Sequence, residues 1–138
     1  MTKELLIPRP DPDKWFLIEK TGIKVNVLWE NKESGASVSL LEVPEGAGVP
    51  SEHRHASNQF MYCLEGEYEY TKSALVLRPG AFYMNPKGNP HGPTRAHSRC
   101  LLLEIYDGPH YFEVPEFHSE ETVGKIKAET VPESKKTR

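Results

Sequence analysis

Three histidines in this 138-residue chain stand where their imidazoles can share one metal ion. His53 and His55 are separated by a single residue in Ser51-Glu52-His53-Arg54-His55, at the end of a strand-like stretch. Alternation along an extended chain puts both side chains on one side with Cα atoms about 6.5 to 7 Å apart, from which both rings can reach an ion at about 2.1 Å. His91 follows Pro86-Lys87-Gly88-Asn89-Pro90, a stiff turn able to fix a third imidazole from a neighbouring strand. Gln59 opens the next strand-like run and offers an amide oxygen as a fourth donor. Imidazole and amide oxygen suit iron, manganese, nickel and zinc alike, so the expectation is a divalent transition metal without its identity. A neutral amide leaves the dication's full charge for an incoming ligand, which favours enolates, 2-hydroxy carbonyls and uronates. Should Gln59 point away, water completes the shell. His97, His110 and His118 fall outside this pattern and read as surface or loop histidines.

Short strands must position these groups. Strand-like runs cover 23–29, 37–43, 60–64, 68–71, 74–77, 82–85 and 99–106, and no central segment has a helical period. Pro44-Glu45-Gly46, Leu64-Glu65-Gly66, Arg78-Pro79-Gly80 and Asp107-Gly108-Pro109 interrupt them with the φ constraints that turns require, which points to an antiparallel sandwich or barrel. Residues 1–20 hold Pro8, Pro10 and Pro12 ahead of Trp15, Phe16, Leu17 and Ile18, and read as an extended arm ending in an edge strand or a partner contact. The barrel is expected over 21–118. Residues 119–138 form a charged tail, helical at most over 120–128 and otherwise poorly ordered.

Counting alternately from Gln59, Met61 and Cys63 share its inward face and should floor the substrate pocket with soft apolar groups. Phe60, Tyr62 and Leu64 then face outward and need a cover, most simply a second copy of the chain bound through them and the Trp15 to Ile18 arm. The run 99–106 is apolar on both faces, one of which holds Cys100, Leu102, Glu104 and Tyr106. A carboxylate is costly to bury there unless paired, so Glu104 is either a general base in the pocket or an ion-pair partner of Arg95 or Arg78. Arg95 either clamps a substrate carboxylate at the barrel mouth or is a solvated rim charge. Cys63 and Cys100 lie inside apolar runs and read as free buried thiols.

With 37% hydrophobic and 27% charged residues the chain fits one globular domain. A chain of this size buries roughly 68% of its unfolded surface on folding, so the core needs neither disulfide nor structural metal, and a metal would be functional. A net charge of -3 gives no attraction for nucleic acid or anionic lipid. The apolar stretch 100–105 is far shorter than the roughly 20 residues that span a bilayer, and the N-terminus lacks a signal-like run, so a cytoplasmic location with a small-molecule partner is expected.

His53, His55, Gln59 and Gly66 keep the spacing of the first cupin motif, with glutamine where that motif has glutamate and Ala47 where its opening glycine would stand. Gly80, Pro86, Gly88 and His91 fall on the second motif without a gap, and only its last position departs, being Arg95. The sequence therefore resembles the cupin superfamily, over roughly 38–106. The resemblance implies an all-β fold, a single-domain cupin double-stranded β-helix or jelly-roll barrel, with a metal at one mouth held by His53, His55, His91 and Gln59. His-x-His-Ala, Gln59-Phe60 and His91-Gly92-Pro93-Thr94 are also similar, more loosely, to small three-histidine cupins that cleave β-diketones. That similarity implies a non-haem iron(II) dioxygenase, with manganese, nickel or zinc as other metals. The alternatives are a redox-neutral lyase or isomerase of the hydroxynitrile or uronate type, using Glu104 as base, and a non-catalytic binding module.

Overall fold

The computed structural model describes residues 3–113 and 115–118. Nine strands follow one another among the described residues: β1 Phe16–Ile18, β2 Ile23–Glu30, β3 Ser37–Val43, β4 Gln59–Glu65, β5 Tyr68–Tyr70, β6 Leu75–Leu77, β7 Phe82–Asn85, β8 Thr94–Ala96 and β9 Cys100–Tyr106. They form a six-stranded sheet in the order β1-β2-β3-β9-β4-β7 and a three-stranded sheet in the order β6-β5-β8, with all pairs antiparallel. This is the jelly-roll architecture expected of a cupin, and no α-helix occurs among the described residues. The arm does end in an edge strand, since β1 pairs with β2. β8 was not anticipated: Thr-Arg-Ala has no apolar alternation to mark it. The expected tail, with its helix over 120–128, lies outside the described residues.

Strand register arranges the interior in rows. Ser37, Tyr106, Gln59 and Asn85 stand side by side across β3, β9, β4 and β7, followed by Ser39, Glu104, Met61 and Tyr83. Leu41, Leu102 and Cys63 make the next row, and Val43 and Cys100 the last. The barrel interior thus runs from polar at one end to apolar at the other. Period-two burial along β3 and β9 enforces this, because a slip by one residue would turn every inward side chain to the outside. Leu102 and Met61, both fully buried, each stabilise the fold by about 1.5 to 3 kcal/mol through removal of apolar surface from water.

Candidate metal centre

The polar end of the barrel is closed by the two segments that carry the histidines. His53 and His91 form an isolated antiparallel bridge, each N–H donating to the other's carbonyl at 2.8 Å. The turn before His91 is pinned as well: the Gly88 N–H donates to the His55 carbonyl at 3.0 Å, and Asn85 and Asn89 exchange amide hydrogen bonds of 3.0 and 2.7 Å. His53 and His55 lie ahead of β4 rather than in a strand, so the bridge, not strand alternation, makes them converge. The donor nitrogens of His53, His55 and His91 all lie within 4.8 Å of one another.

Each ring is oriented through its other nitrogen. His53 Nδ1–H donates to the Ser51 carbonyl at 3.2 Å, and His55 Nδ1–H donates to the His110 carbonyl at 3.1 Å. Tyr83 Oη lies 2.8 Å from His91 Nδ1. His55 Nε2 and His91 Nε2 face each other at 2.9 Å. Two imidazole nitrogens on one ion at about 2.0 to 2.1 Å stand roughly 2.8 to 3.4 Å apart, a range that includes this gap, which is also the length of an N–H···N hydrogen bond. Burial keeps all three rings neutral, as ligands must be: desolvation lowers the pKa of His53, lowers that of His55 further, and brings His91 down to about 3. Without a cation, a proton on His91 Nε2 bridges the 2.9 Å gap, with the Tyr83 hydroxyl donating to Nδ1. An ion in the gap would shift that proton to Nδ1, where Tyr83 Oη accepts it.

Gln59 opens β4 in the same polar row. Its Nε2 donates to Glu104 Oε2 at 2.7 Å and to Tyr106 Oη at 2.9 Å, while the Tyr106 hydroxyl donates to Glu104 Oε2 at 3.1 Å and lies 3.5 Å from His55 Nε2. The carboxylate fixes which end of the amide faces it. Gln59 Oε1 is left buried without a partner among the described residues, which costs about 1 to 3 kcal/mol unless something supplies positive charge. An orphaned carbonyl oxygen on a residue that lines the same cavity as three oriented imidazoles fits a divalent ion. Glu104 is itself buried, and desolvation raises its carboxyl to about 7 against the opposing hydrogen bonds from Gln59 and Tyr106. It pairs with neither arginine considered for it: Arg78 Nε donates to Glu67 at 3.0 Å, and Arg95 is exposed.

Comparison with known families settles the affiliation. A family model described as a ChrR cupin-like domain matches residues 5–109. The chain is a ChrR-like cupin. No curated protein matches it by sequence. Among solved structures it is similar to an acetylacetone dioxygenase from Acinetobacter johnsonii, at 16% identity and a TM-score of 0.73, over 91% of this chain and 93% of that one. KdgF from a Halomonas species shares 19% identity at a TM-score of 0.58, over 70% and 86% of the two chains. A chain of the complex of Rhodobacter sphaeroides SigE with the anti-sigma ChrR shares 22% at 0.53, over 62% of this chain and 45% of that one. Identities this low establish a shared fold only.

The cupin's internal cavity is small, about 50 Å³, and its lining includes the three histidines, Gln59, Met61 and Glu104. Met61 lines this cavity. Cys63 does not: it stands one row deeper, among the apolar residues, with its thiol facing the carbonyls of Glu65, Gly66 and Leu77. Arg95 faces outward, as the solvated rim charge of its two readings would, because β8 buries Thr94 and Ala96 on either side of it. Two histidines read as surface or loop residues follow β9 outside any strand but are turned inward. His110 and His118 are both buried and line the cavity, with desolvation lowering them to about 3 and about 4. His110 Nε2 lies 3.3 Å from Ser37 Oγ, and its ring packs 3.7 Å from that of Tyr106. Past β9 the chain folds back over the site, Phe117 lying 5.1 Å from the His53 ring and Tyr111 Oη 3.1 Å from His118 Nε2. Outside this cover lies a cleft of about 420 Å³ that shares His53 and Tyr111 with the cavity.

Proposed function

We propose that this cupin is a metal-dependent enzyme acting on a small enolisable carbonyl compound, with iron(II) and dioxygen cleaving a carbon–carbon bond of a β-dicarbonyl as the leading chemistry. One observation carries the reading: the buried imidazoles of His55 and His91 and the half-buried imidazole of His53 bring one nitrogen each to within 4.8 Å of one another, in a cavity that a protonatable carboxyl, Glu104, also lines. His53, His55 and His91 would hold the ion, joined by the Gln59 amide oxygen. When bound, the metal supplies positive charge to an enolate oxygen and, as iron, the redox capacity for dioxygen. Likeness in fold and length to an acetylacetone dioxygenase supports this order of preference.

The remaining steps belong to the chain. Glu104 as carboxylate takes the proton from the carbon between the two carbonyls; the C–H bond breaks, an O–H bond forms, and the electron pair moves onto a carbonyl oxygen. Gln59 Nε2 and the Tyr106 hydroxyl hold that carboxylate in position. Ile23, Val25 and Leu41 wall the cavity with apolar surface, excluding water and strengthening each charge interaction inside. Cleavage by one dioxygen leaves both its atoms in two products, a carboxylic acid and a 1,2-dicarbonyl. Because about 50 Å³ is below the roughly 300 Å³ of ordinary ligand sites, substrate enters from the outer cleft as the segment bearing Phe117 and His118 moves aside.

A redox-neutral lyase or isomerase is the second reading, favoured by Glu104, since a base beside a Lewis acid suffices for proton transfer alone. Dioxygen uptake against a panel of β-dicarbonyls, 2-hydroxy ketones and uronates separates the two. Uptake equimolar with product, abolished by zinc, supports the dioxygenase; turnover under strict anaerobiosis overturns it.

A further inference from the structure

Among the buried side-chain polar atoms that lack a partner in the described residues, two belong to residues lining the inner cavity: Gln59 Oε1 and His110 Nδ1. A cation would satisfy the first. It does nothing for the second, because His110 stands outside the group of imidazoles whose nitrogens converge. His110 is firmly placed. Its carbonyl accepts from the Ala56 N–H at 2.9 Å and from His55 Nδ1–H at 3.1 Å, and the neighbouring Pro109 carbonyl accepts from Ser57 Oγ at 2.7 Å. Its ring lies 3.7 Å from that of Tyr106 and 6.4 Å from that of His55. Packing against Tyr106 alone would be served by phenylalanine, which brings no buried nitrogen to be left unpaired.

The tautomer follows from Ser37. A neutral imidazole carries one N–H, and the buried Ser37 hydroxyl has His110 Nε2, at 3.3 Å, as its sole hydrogen-bond partner among the described residues. If Nε2 donated to Ser37, both the serine proton and the Nδ1 lone pair would go unmatched. If the hydroxyl donates to Nε2, one group alone is left over, an N–H at Nδ1, and this arrangement costs less. The two ring nitrogens point apart, so that N–H faces away from Ser37, which is not among the residues lining the cavity.

We propose that His110 is a substrate-binding residue whose Nδ1–H donates a hydrogen bond to a carbonyl oxygen of the compound held in the cavity. The proposal rests on the site's reading as one for an enolisable carbonyl compound. Negative charge gathers on that oxygen as Glu104 takes the proton from carbon, and a fixed N–H in a water-poor site binds the charged oxygen more strongly than the neutral one. The nearby hydroxyls are already engaged: Tyr106 donates to Glu104 at 3.1 Å, and Tyr111 Oη lies 3.1 Å from His118 Nε2.

The full chain loaded with zinc, which has no redox chemistry, serves for the test. Nitrogen-15 NMR of the histidine rings should show His110 protonated at Nδ1 and bare at Nε2; the opposite tautomer overturns the proposal whatever the variants do. The binding probe is pentane-2,4-dione, followed by its enolate absorbance. Counted in bonds from Cβ, His110→Gln carries its amide nitrogen where Nε2 stands and keeps the Ser37 contact, whereas His110→Asn carries it where Nδ1 stands. Both leave the backbone carbonyl that orients His55, so zinc content should match wild type. His110→Gln should weaken binding roughly tenfold or more, and His110→Asn should stay within roughly threefold of wild type. Wild-type affinity in His110→Gln, equal losses in both variants, or loss of zinc from both overturns the role of His110 and leaves the enzyme reading standing. A wild-type protein that binds no dione overturns both.

Discussion

Replacing Gln59 by Leu asks whether the orphaned amide oxygen is a metal donor or merely an internal defect. In metal-free protein the change removes a hydrogen bond to a buried carboxyl, worth about 1.5 to 3 kcal/mol, and one to a tyrosine hydroxyl, worth about 0.5 to 1.5 kcal/mol. It also relieves the buried unpaired Oε1, returning about 1 to 3 kcal/mol, and adds apolar contact with Met61 and its neighbours. These contributions offset to within about 2 kcal/mol, so the metal-free Tm moves by a few degrees. The metal-loaded protein responds differently. Loss of one donor raises the metal Kd by something on the order of 100-fold, which removes about 2.7 kcal/mol of the stabilisation that bound ion confers. For a domain of this size that is a fall of about 8 to 13 °C in the metal-induced rise of Tm. Scanning calorimetry of wild type and variant, each with and without saturating metal, reads the increment directly. An increment identical in both proteins would refute ligation by Gln59 and leave its amide a holder of Glu104. Gln59→Glu should keep the increment but weaken binding of an enolate inhibitor, because one negative charge is added beside the ion.

Three further outcomes follow from local geometry. Gly66→Ala should destabilise by about 2 to 4 kcal/mol in urea titration, since φ is +83° and the new Cβ would stand 2.2 Å from the Arg99 carbonyl oxygen, whereas Gly80→Ala, at φ +93° in open space, should cost about 1 kcal/mol; equal losses would contradict this. Burial raises both thiols, Cys100 to about 11, so the unfolded chain releases its thiol protons first and stability should fall as pH rises from about 9 toward 11, with both cysteines unreactive to a disulfide reagent at pH 8 until denaturant is added. Phe117→Ala should speed removal of metal by a chelator at least tenfold without loss of the fold, because that ring covers His53; an unchanged rate would mean the site opens elsewhere.

Most of the sheet was legible from period-two patterning, and 37–43 and 82–85 match β3 and β7 residue for residue. The three histidines were legible through motif spacing, whereas the run 99–106, apolar on both faces, left the parity of Glu104 open until its register against β3 and β4 turned it inward. Arg95 stayed open between clamp and rim charge because β8 has too few residues to declare its face, and a single uncertain parity decides whether a side chain meets substrate or solvent. Cys63 was placed on the correct face but too near the site, since alternation fixes direction and not depth; register against β9 fixes depth. His110 and His118 escaped because they follow the last strand, where no period applies. Their signal was the density of aromatic residues and histidine in Gly108-Pro109-His110-Tyr111 and Phe117-His118, unusual for a solvated exit segment. The hydrogen bonds joining Gln59, Glu104 and Tyr106 had no sequence signature, as they arise between residues 45 and 47 positions apart.

The central claim is that His53, His55 and His91 hold one metal ion through their Nε2 atoms. Metal content by mass spectrometry, measured on the protein purified without added metal and on its His91→Ala variant, tests it most directly. About one divalent transition-metal ion per wild-type chain is expected, and its loss from a still-folded variant, because the apolar half of the barrel does not depend on the site. Stoichiometric metal retained by His91→Ala would contradict it, as would a wild-type protein that takes up no metal when offered iron, manganese, nickel or zinc.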